Sequence, residues 1–235
     1  MPENPNELPP STLFEGIGVA VLNTTLTHAE ENTQIFFKSS PWGGFLHGYN
    51  ANNSFMINYK NHPLFLSARV WDGWATSHHN NWTRQSKSEN VILVNGVGPI
   101  HQRSTSLGEL WYFKKDWAEW FTDEIDALSP STFNWLLHSK NQFYRPDLTK
   151  NEIKLHDSEL NGDLFKNVTI NFRALDDTPL DFQYAVTSGL NPAPNKADPL
   201  AGPYYHLSVQ IKAKTSTGSA PLQKLNLITE IVLPQ

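Results

Sequence analysis

Two stretches collect the side chains that could do chemistry. The first, LHGYNANNSF over residues 46–55, holds His47, Tyr49 and the amides Asn50, Asn52 and Asn53. The second, WATSHHNNWTRQSK over residues 74–87, holds Trp74, His78, His79, Trp82, Arg84 and Lys87. Imidazole titrates near neutrality and moves protons. Tyrosine and histidine serve as general acids and bases. Arginine and lysine neutralise carboxylates and other anions, and tryptophan offers a flat apolar face. These parts suit removal of a proton beside a carboxylate, with a positive or hydrogen-bonding group neutralising that carboxylate and an acid serving a leaving oxygen. The first stretch also admits a local reading, in which its polar side chains cap and bridge a turn at the entrance to a strand.

The charge pattern separates this region from the rest. The formal net charge of −5 argues against bulk nucleic-acid binding. Yet residues 33–104 carry Lys38, Lys60, Arg69, Arg84, Lys87 and Arg103 against only Asp72 and Glu89, a net +4, and five of the nine histidines. A cationic, histidine- and aromatic-rich segment inside an acidic chain points to a local site for an anionic ligand. A glycosidase needs two carboxylates set across a cleft, and this region has only Asp72 and Glu89. The adjacent His78 and His79 are a weak metal signal, because neighbouring loop residues seldom point the same way. No P-loop, dinucleotide fingerprint, GxSxG elbow or HExxH occurs. With no cysteine there is neither a disulfide framework nor a thiolate metal site.

The elements that must position these residues read as strands. Pro, Gly, Asn, Ser and Thr are frequent and charged residues are only 17%, which favours strands and turns over helices. Residues 1–11 read as an extended segment and 12–235 as one antiparallel β-sandwich of about ten or more strands. Phe55, Ile57 and Tyr59 alternate with Ser54, Met56 and Asn58, and the KNHP turn that follows predicts a hairpin. Phe133, Trp135 and Leu137 alternate likewise. Residues 74–90 form a polar loop, and long loops between strands are usually functional or disordered. The window 110–125, with Leu110, Phe113, Trp117 and Trp120 at helical spacing, is the best candidate for a short helix. No apolar run is long enough to span a membrane as a helix. MPENPNELPPSTLF lacks the basic and apolar regions of a signal peptide, so the expectation is a soluble chain.

The order of these segments resembles a known family. LPPSTLFEGIGVAVLNTTL, FFKSSPWGGFLHGYNANNSFMINYKNHPLFLSA, SHHNNWTRQSKSENVILVNGVG and STFNWLLHS are similar to successive pieces of the C-terminal β-sandwich of the heparinase II/III-like polysaccharide lyases. Where the family reads His-x-His-Ala-Asp-x-Asn-Ser-Phe, this chain reads His47-Gly48-Tyr49-Asn50-Ala51-Asn52-Asn53-Ser54-Phe55. Where its later pattern reads Trp-Thr-Arg-Gln-Thr-x-x-His-Asn, then an apolar strand and Asp-Gly, this chain has Trp82-Thr83-Arg84-Gln85-Ser86-Lys87-Ser88-Glu89-Asn90 and then Asn95-Gly96. The resemblance implies a bacterial lyase that splits uronate-containing anionic glycans, glycosaminoglycan or alginate-like, by β-elimination. It places His47 at a cleft-facing histidine, as the proton-transfer residue. Tyr49, Asn53, Trp74, Trp82, Arg84 and Lys87 become the expected substrate-binding residues, with Trp42 as a further stacking face.

The chain also departs from that family. The resemblance implies a metal, commonly zinc, held by the second histidine of the first motif, an aspartate on the next strand and the histidine before the asparagine of the later motif. Here those positions hold Tyr49, Ser67 and Glu89, and no metal or other cofactor is expected. The family's N-terminal α/α-toroid, which supplies a catalytic tyrosine and the group meeting the substrate carboxylate, has no counterpart in these residues. Two expectations stand: the sandwich portion of a lyase, incomplete without a toroid domain or subunit, or a catalytically inactive sandwich that binds glycan or docks to protein. As part of a larger exported lyase the chain would be periplasmic or secreted. Neither nucleic acid nor membrane is expected as a partner.

Overall fold

The computed structural model describes residues 4–38, 49–98, 112–117, 121–156, 163–195 and 203–234. Their fold is all-β and antiparallel, with only short helical turns. The strands are β1 (Thr12–Phe14), β2 (Val19–Asn23), β3 (Thr33–Lys38), β4 (Ser54–Tyr59), β5 (His62–Phe65), β6 (Ile92–Val94), β7 (Tyr112–Trp117) and β8 (Phe121–Ser131). They continue with β9 (Phe133–Ser139), β10 (Phe143–Tyr144), β11 (Glu152–Leu155), β12 (Thr169–Ala174), β13 (Leu180–Ser188), β14 (Tyr205–Thr215), β15 (Gly218–Ala220) and β16 (Leu222–Val232). The chain divides into two compact units. One comprises residues 1–91, 137–140 and 189–204, and the other residues 92–136, 141–188 and 205–235.

The first unit contains the meander β1-β2-β3-β4-β5. In β4, Phe55, Ile57 and Tyr59 are buried while Met56 and Asn58 are partly open, the period-2 pattern of a strand with one face on a core. The β4–β5 hairpin turns at Lys60 and Asn61, with φ of 49° and 64°. Two consecutive left-handed residues match the right-handed twist of the flanking strands.

The strands that lie wholly or mostly in the second unit form a β-sandwich. One sheet runs β10-β11-β12-β16-β8-β7 and the other β13-β14-β9-β6, with β15 paired to β14. The inner faces meet through aromatic side chains. Trp135 of β9 stands edge-on to Phe172 of β12 with centroids 5.1 Å apart, and Phe172 also packs on Phe182 and Tyr184 of β13. Leu207, Val209 and Ile211 of β14 and Leu225 and Leu227 of β16 are fully buried.

The described part of the window with helical spacing, residues 112–117 and 121–125, is not helical. Tyr112–Trp117 and Phe121–Ser131 are the strands β7 and β8, paired from Tyr112↔Asp126 to Trp117↔Phe121. The other edge of β8 pairs with β16 from Leu222↔Ser131 to Thr229↔Phe121. Aromatic and β-branched residues fit a pleated surface, and pairing on both edges outweighs a local spacing that also matches a helix.

A turn between β12 and β13 shows how local polar contacts add pH-dependent stability. The Asp176 carboxylate accepts from the Thr178 backbone N–H and the Asn226 amide. Hydrogen bonds from Thr178 and then Asn226 hold its pKa at about 2. A depressed carboxylate pKa contributes stability above the unfolded value, and that contribution is lost as pH falls through the folded one. Asp176→Asn should therefore lower the urea midpoint at neutral pH. It should also flatten the fall in midpoint between roughly pH 4 and pH 2, a difference that denaturation curves across that range would detect.

Candidate functional site

The two polar motifs meet because backbone and amide hydrogen bonds tie residues 50–55 to residues 84–90. Asn50 N–H donates to the Arg84 carbonyl at 3.0 Å, and Ser86 Oγ donates to the Asn50 carbonyl at 2.6 Å. Phe55 N–H donates to the Asn90 carbonyl, and the Asn90 amide returns a bond to the Phe55 carbonyl at 2.8 Å. The other side of the Asn90 amide accepts from His138 N–H at 2.7 Å. These bonds hold Tyr49 and Arg84 at one face of the first unit.

That face contains a cavity of about 410 Å³ lined by Tyr49, Arg69, Val70, Trp71, Asp72, Trp74, His79 and Thr83. Trp71 is 75% exposed and Trp74 53% exposed, so both indoles are accessible to solvent. The Trp74 ring lies 4.6 Å from the His79 ring, and the Arg84 guanidinium stands 5.6 Å from the Trp74 centroid. The loop supplying these groups is held by Asp72, whose carboxylate accepts from Thr76 Oγ1 at 2.8 Å and from Asn195 N–H at 3.2 Å. Burial alone would raise its pKa, but the bonds from Thr76, Asn195 and Gly73 together hold it below the usual carboxylate range. A single π-helical turn, His79–Thr83, carries the buried His79 that packs against Trp74.

The predicted site residues do not all reach this face. Tyr49 and Trp74 line the cavity, and Arg84 stacks beside Trp74. Trp82 is only 8% exposed, packed with Ala68, Val70 and Tyr204, and its indole N–H donates to the Ala68 carbonyl at 2.6 Å. It is a core residue and not an open stacking face. Asn53 is buried with φ of 65°, and its N–H donates to the Lys38 carbonyl at 2.7 Å. It makes the left-handed turn into β4, a conformation asparagine tolerates well, which corrects its expected substrate contact. Lys87 lies 5.4 Å from the Trp82 ring, and partial burial lowers its pKa. His47 and Trp42 lie outside the described residues. His78 and His79 diverge: His78 Nδ1–H donates to the Pro192 carbonyl at 2.6 Å, while His79 turns to Trp74. Among the described residues no three His, Cys, Asp or Glu side chains cluster as a metal site. Sequence reasoning passed over Arg69, Trp71 and Asp72 as site residues. The signal was there in ARVWDGW, where a cation, a carboxylate and two indoles fall together.

Residues 6–152 match the family model described as heparinase II/III-like, C-terminal. The chain belongs to the heparinase II/III-like family. No curated protein sequence matches it. Solved structures that resemble it include the heparan sulfate lyase HepC from Pedobacter heparinus, at 15% identity and a TM-score of 0.61 over 96% of this chain and 37% of that one. A heparinase III structure superposes with a TM-score of 0.59 at 13% identity, again over 96% of this chain and 37% of that one. The chain thus spans little more than a third of the length of these proteins, and at such identities the likeness is one of fold.

The family's metal does not suit the residues present. Tyr49, Ser67 and Glu89 offer a phenol, a hydroxyl and one carboxylate, without the imidazole or thiolate that zinc favours. One oxygen of Glu89 accepts from the Ser67 hydroxyl, and the other is ion-paired with Arg69, 2.5 Å from Nε but without the alignment of a hydrogen bond. The guanidinium carries a charge that would repel a divalent cation beside it. Lys38 adds to the positive field. Its pKa is lowered first by burial and then by the Arg69 charge, with Glu89 pulling the other way.

Proposed function

We propose that this chain is the C-terminal, cleft-lining portion of a polysaccharide lyase that binds a uronate-containing anionic glycan. The observation that supports this best is the cavity itself, where two exposed indoles, Trp71 and Trp74, stand beside the cations Arg69 and Arg84 in a member of the heparinase II/III-like family. Sugar rings would lie on the indole faces, while guanidinium groups pair with carboxylate or sulfate. Lys87 is a further cation for the same strand of glycan.

In the reaction, a base removes the proton beside the uronate carboxylate. The freed electron pair forms a double bond within the ring, the bond from the ring to the neighbouring glycosidic oxygen breaks, and that oxygen takes a proton. His47 is the proposed proton-transfer residue on this chain. The group that neutralises the carboxylate and a second proton-transfer residue would come from a toroid domain or subunit facing the cavity. No metal takes part at Tyr49, Ser67 and Glu89. A second reading, an inactive module that only binds glycan, is favoured by that same altered donor set.

Binding tests the reading shared by both. The chain should retain heparan sulfate and alginate, and not a neutral glucan, in affinity electrophoresis. Trp71→Ala and Trp74→Ala should each weaken retention about tenfold, as loss of an aromatic anchor does at other interfaces. Retention should fall as salt rises, since exposed charge pairs are screened. Equal retention of neutral glucan, or no retention at all, would overturn the assignment.

A further inference from the structure

We infer that Arg69 is a built-in replacement for the metal cation, clamping with its guanidinium the same three chain segments that a bound ion would join. This rests on the local geometry and not on any glycan being bound. The three segments are separate in sequence: Tyr49 from the first motif, Ser67 to Arg69 after β5, and Glu89 at the end of the second motif. The Arg69 guanidinium carbon stands 4.7 Å from the Tyr49 ring centroid, within the range of a cation–π contact. Its Nε meets Glu89 Oε1 at 2.5 Å, and the other oxygen of Glu89 takes the Ser67 hydroxyl. Every position where the family resemblance places a metal ligand therefore has a partner in this one cluster.

The chemistry of each substitution is consistent with that exchange. Where the resemblance implies a histidine ligand stands Tyr49, and a neutral phenol is a poor zinc ligand but offers a negative ring face to a cation. Where it implies the later histidine stands Glu89, and a carboxylate compensates a guanidinium more directly than an imidazole could. Glu89 is 1% exposed, and a carboxylate that deep requires a paired cation. Arg69 itself remains about a third exposed and lines the cavity. The positive charge thus still faces the space where a ligand would lie, so this cluster has kept the electrostatic contribution of a metal while dispensing with the ion.

Thermal unfolding of the unaltered 235-residue chain and of three variants tests this. The midpoint should be the same before and after dialysis against EDTA, and the same again with zinc chloride added. Arg69→Gln should lower the midpoint by on the order of 10 °C, because it strands a buried carboxylate. Glu89→Gln should also lower it, and the double variant Arg69→Gln/Glu89→Gln should recover more than half of the Arg69→Gln loss. A midpoint that drops in EDTA and returns with zinc would overturn the proposal, as would single-variant effects that simply add in the double variant. Should Arg69→Gln not fold, the EDTA comparison on the unaltered chain decides alone.

Discussion

A protein consisting of these 235 residues should show little or no lyase turnover on its own. β-Elimination needs a base, an acid and a neutraliser of the carboxylate, all held within hydrogen-bond reach of one sugar ring. The cavity described here offers cations and indoles, but its histidine, His79, is buried against Trp74. The heparan sulfate lyase and the heparinase III that it resembles are much longer, and this chain covers 37% of each. Loss of one positioned acid or base costs about two to four orders of magnitude in rate, and loss of a preorganised electrostatic clamp about two to three more. Incubation with heparan sulfate, heparin, chondroitin sulfate and alginate, followed by ultraviolet absorbance of the unsaturated product, should give a trace indistinguishable from the protein-free control. Addition of a separately produced toroid domain of the family should raise it if the two halves make one site. Robust turnover by the chain alone, abolished by His47→Ala, would show instead that these residues hold a complete catalytic centre.

The second large effect separates two tryptophans that stand eight positions apart in one polar loop. Trp82→Ala should cost about 3–5 kcal/mol of stability, the usual range for emptying a buried indole site. The loss includes packing on Ala68, Val70 and Tyr204 and the bond to the Ala68 carbonyl, which would be left unpaired. Trp74→Ala removes an exposed ring and should stay within about 0.5 kcal/mol. Urea unfolding followed by far-ultraviolet circular dichroism would resolve the two. Equal destabilisation by both would mean that Trp74 is part of the core, and the open stacking face proposed for glycan would be lost. Because Trp82 belongs to the same turn as His79 and Thr83, its removal should also weaken glycan retention indirectly, whereas Trp74→Ala weakens it without a change in stability.

Much of the fold was legible in the chain. Alternation of Phe55, Ile57 and Tyr59 marks a strand with one buried face, and Lys60-Asn61 marks its turn, because side-chain period and turn chemistry are properties of neighbouring residues. The motif order from His47 to Asn90 likewise identifies the family without coordinates, and the excess of cations over residues 33–104 points to an anion-seeking region. What remained open in the sequence depends on partners distant along the chain. Residues 110–125 fit a helix by spacing, yet their described part, 112–117 and 121–125, is strand because β8 pairs with β16 from the far end of the chain. Trp74 and Trp82 have the same side chain and similar neighbours, yet only the fold decides that one meets Tyr204 and the other meets solvent. Asn53 could have faced a ligand until its backbone was seen to need the left-handed turn. Arg69 and Glu89 read separately as a surface charge and a lost metal ligand. Burial decides their relation, because a carboxylate removed from water requires a cation beside it, and the folded chain places Arg69 there.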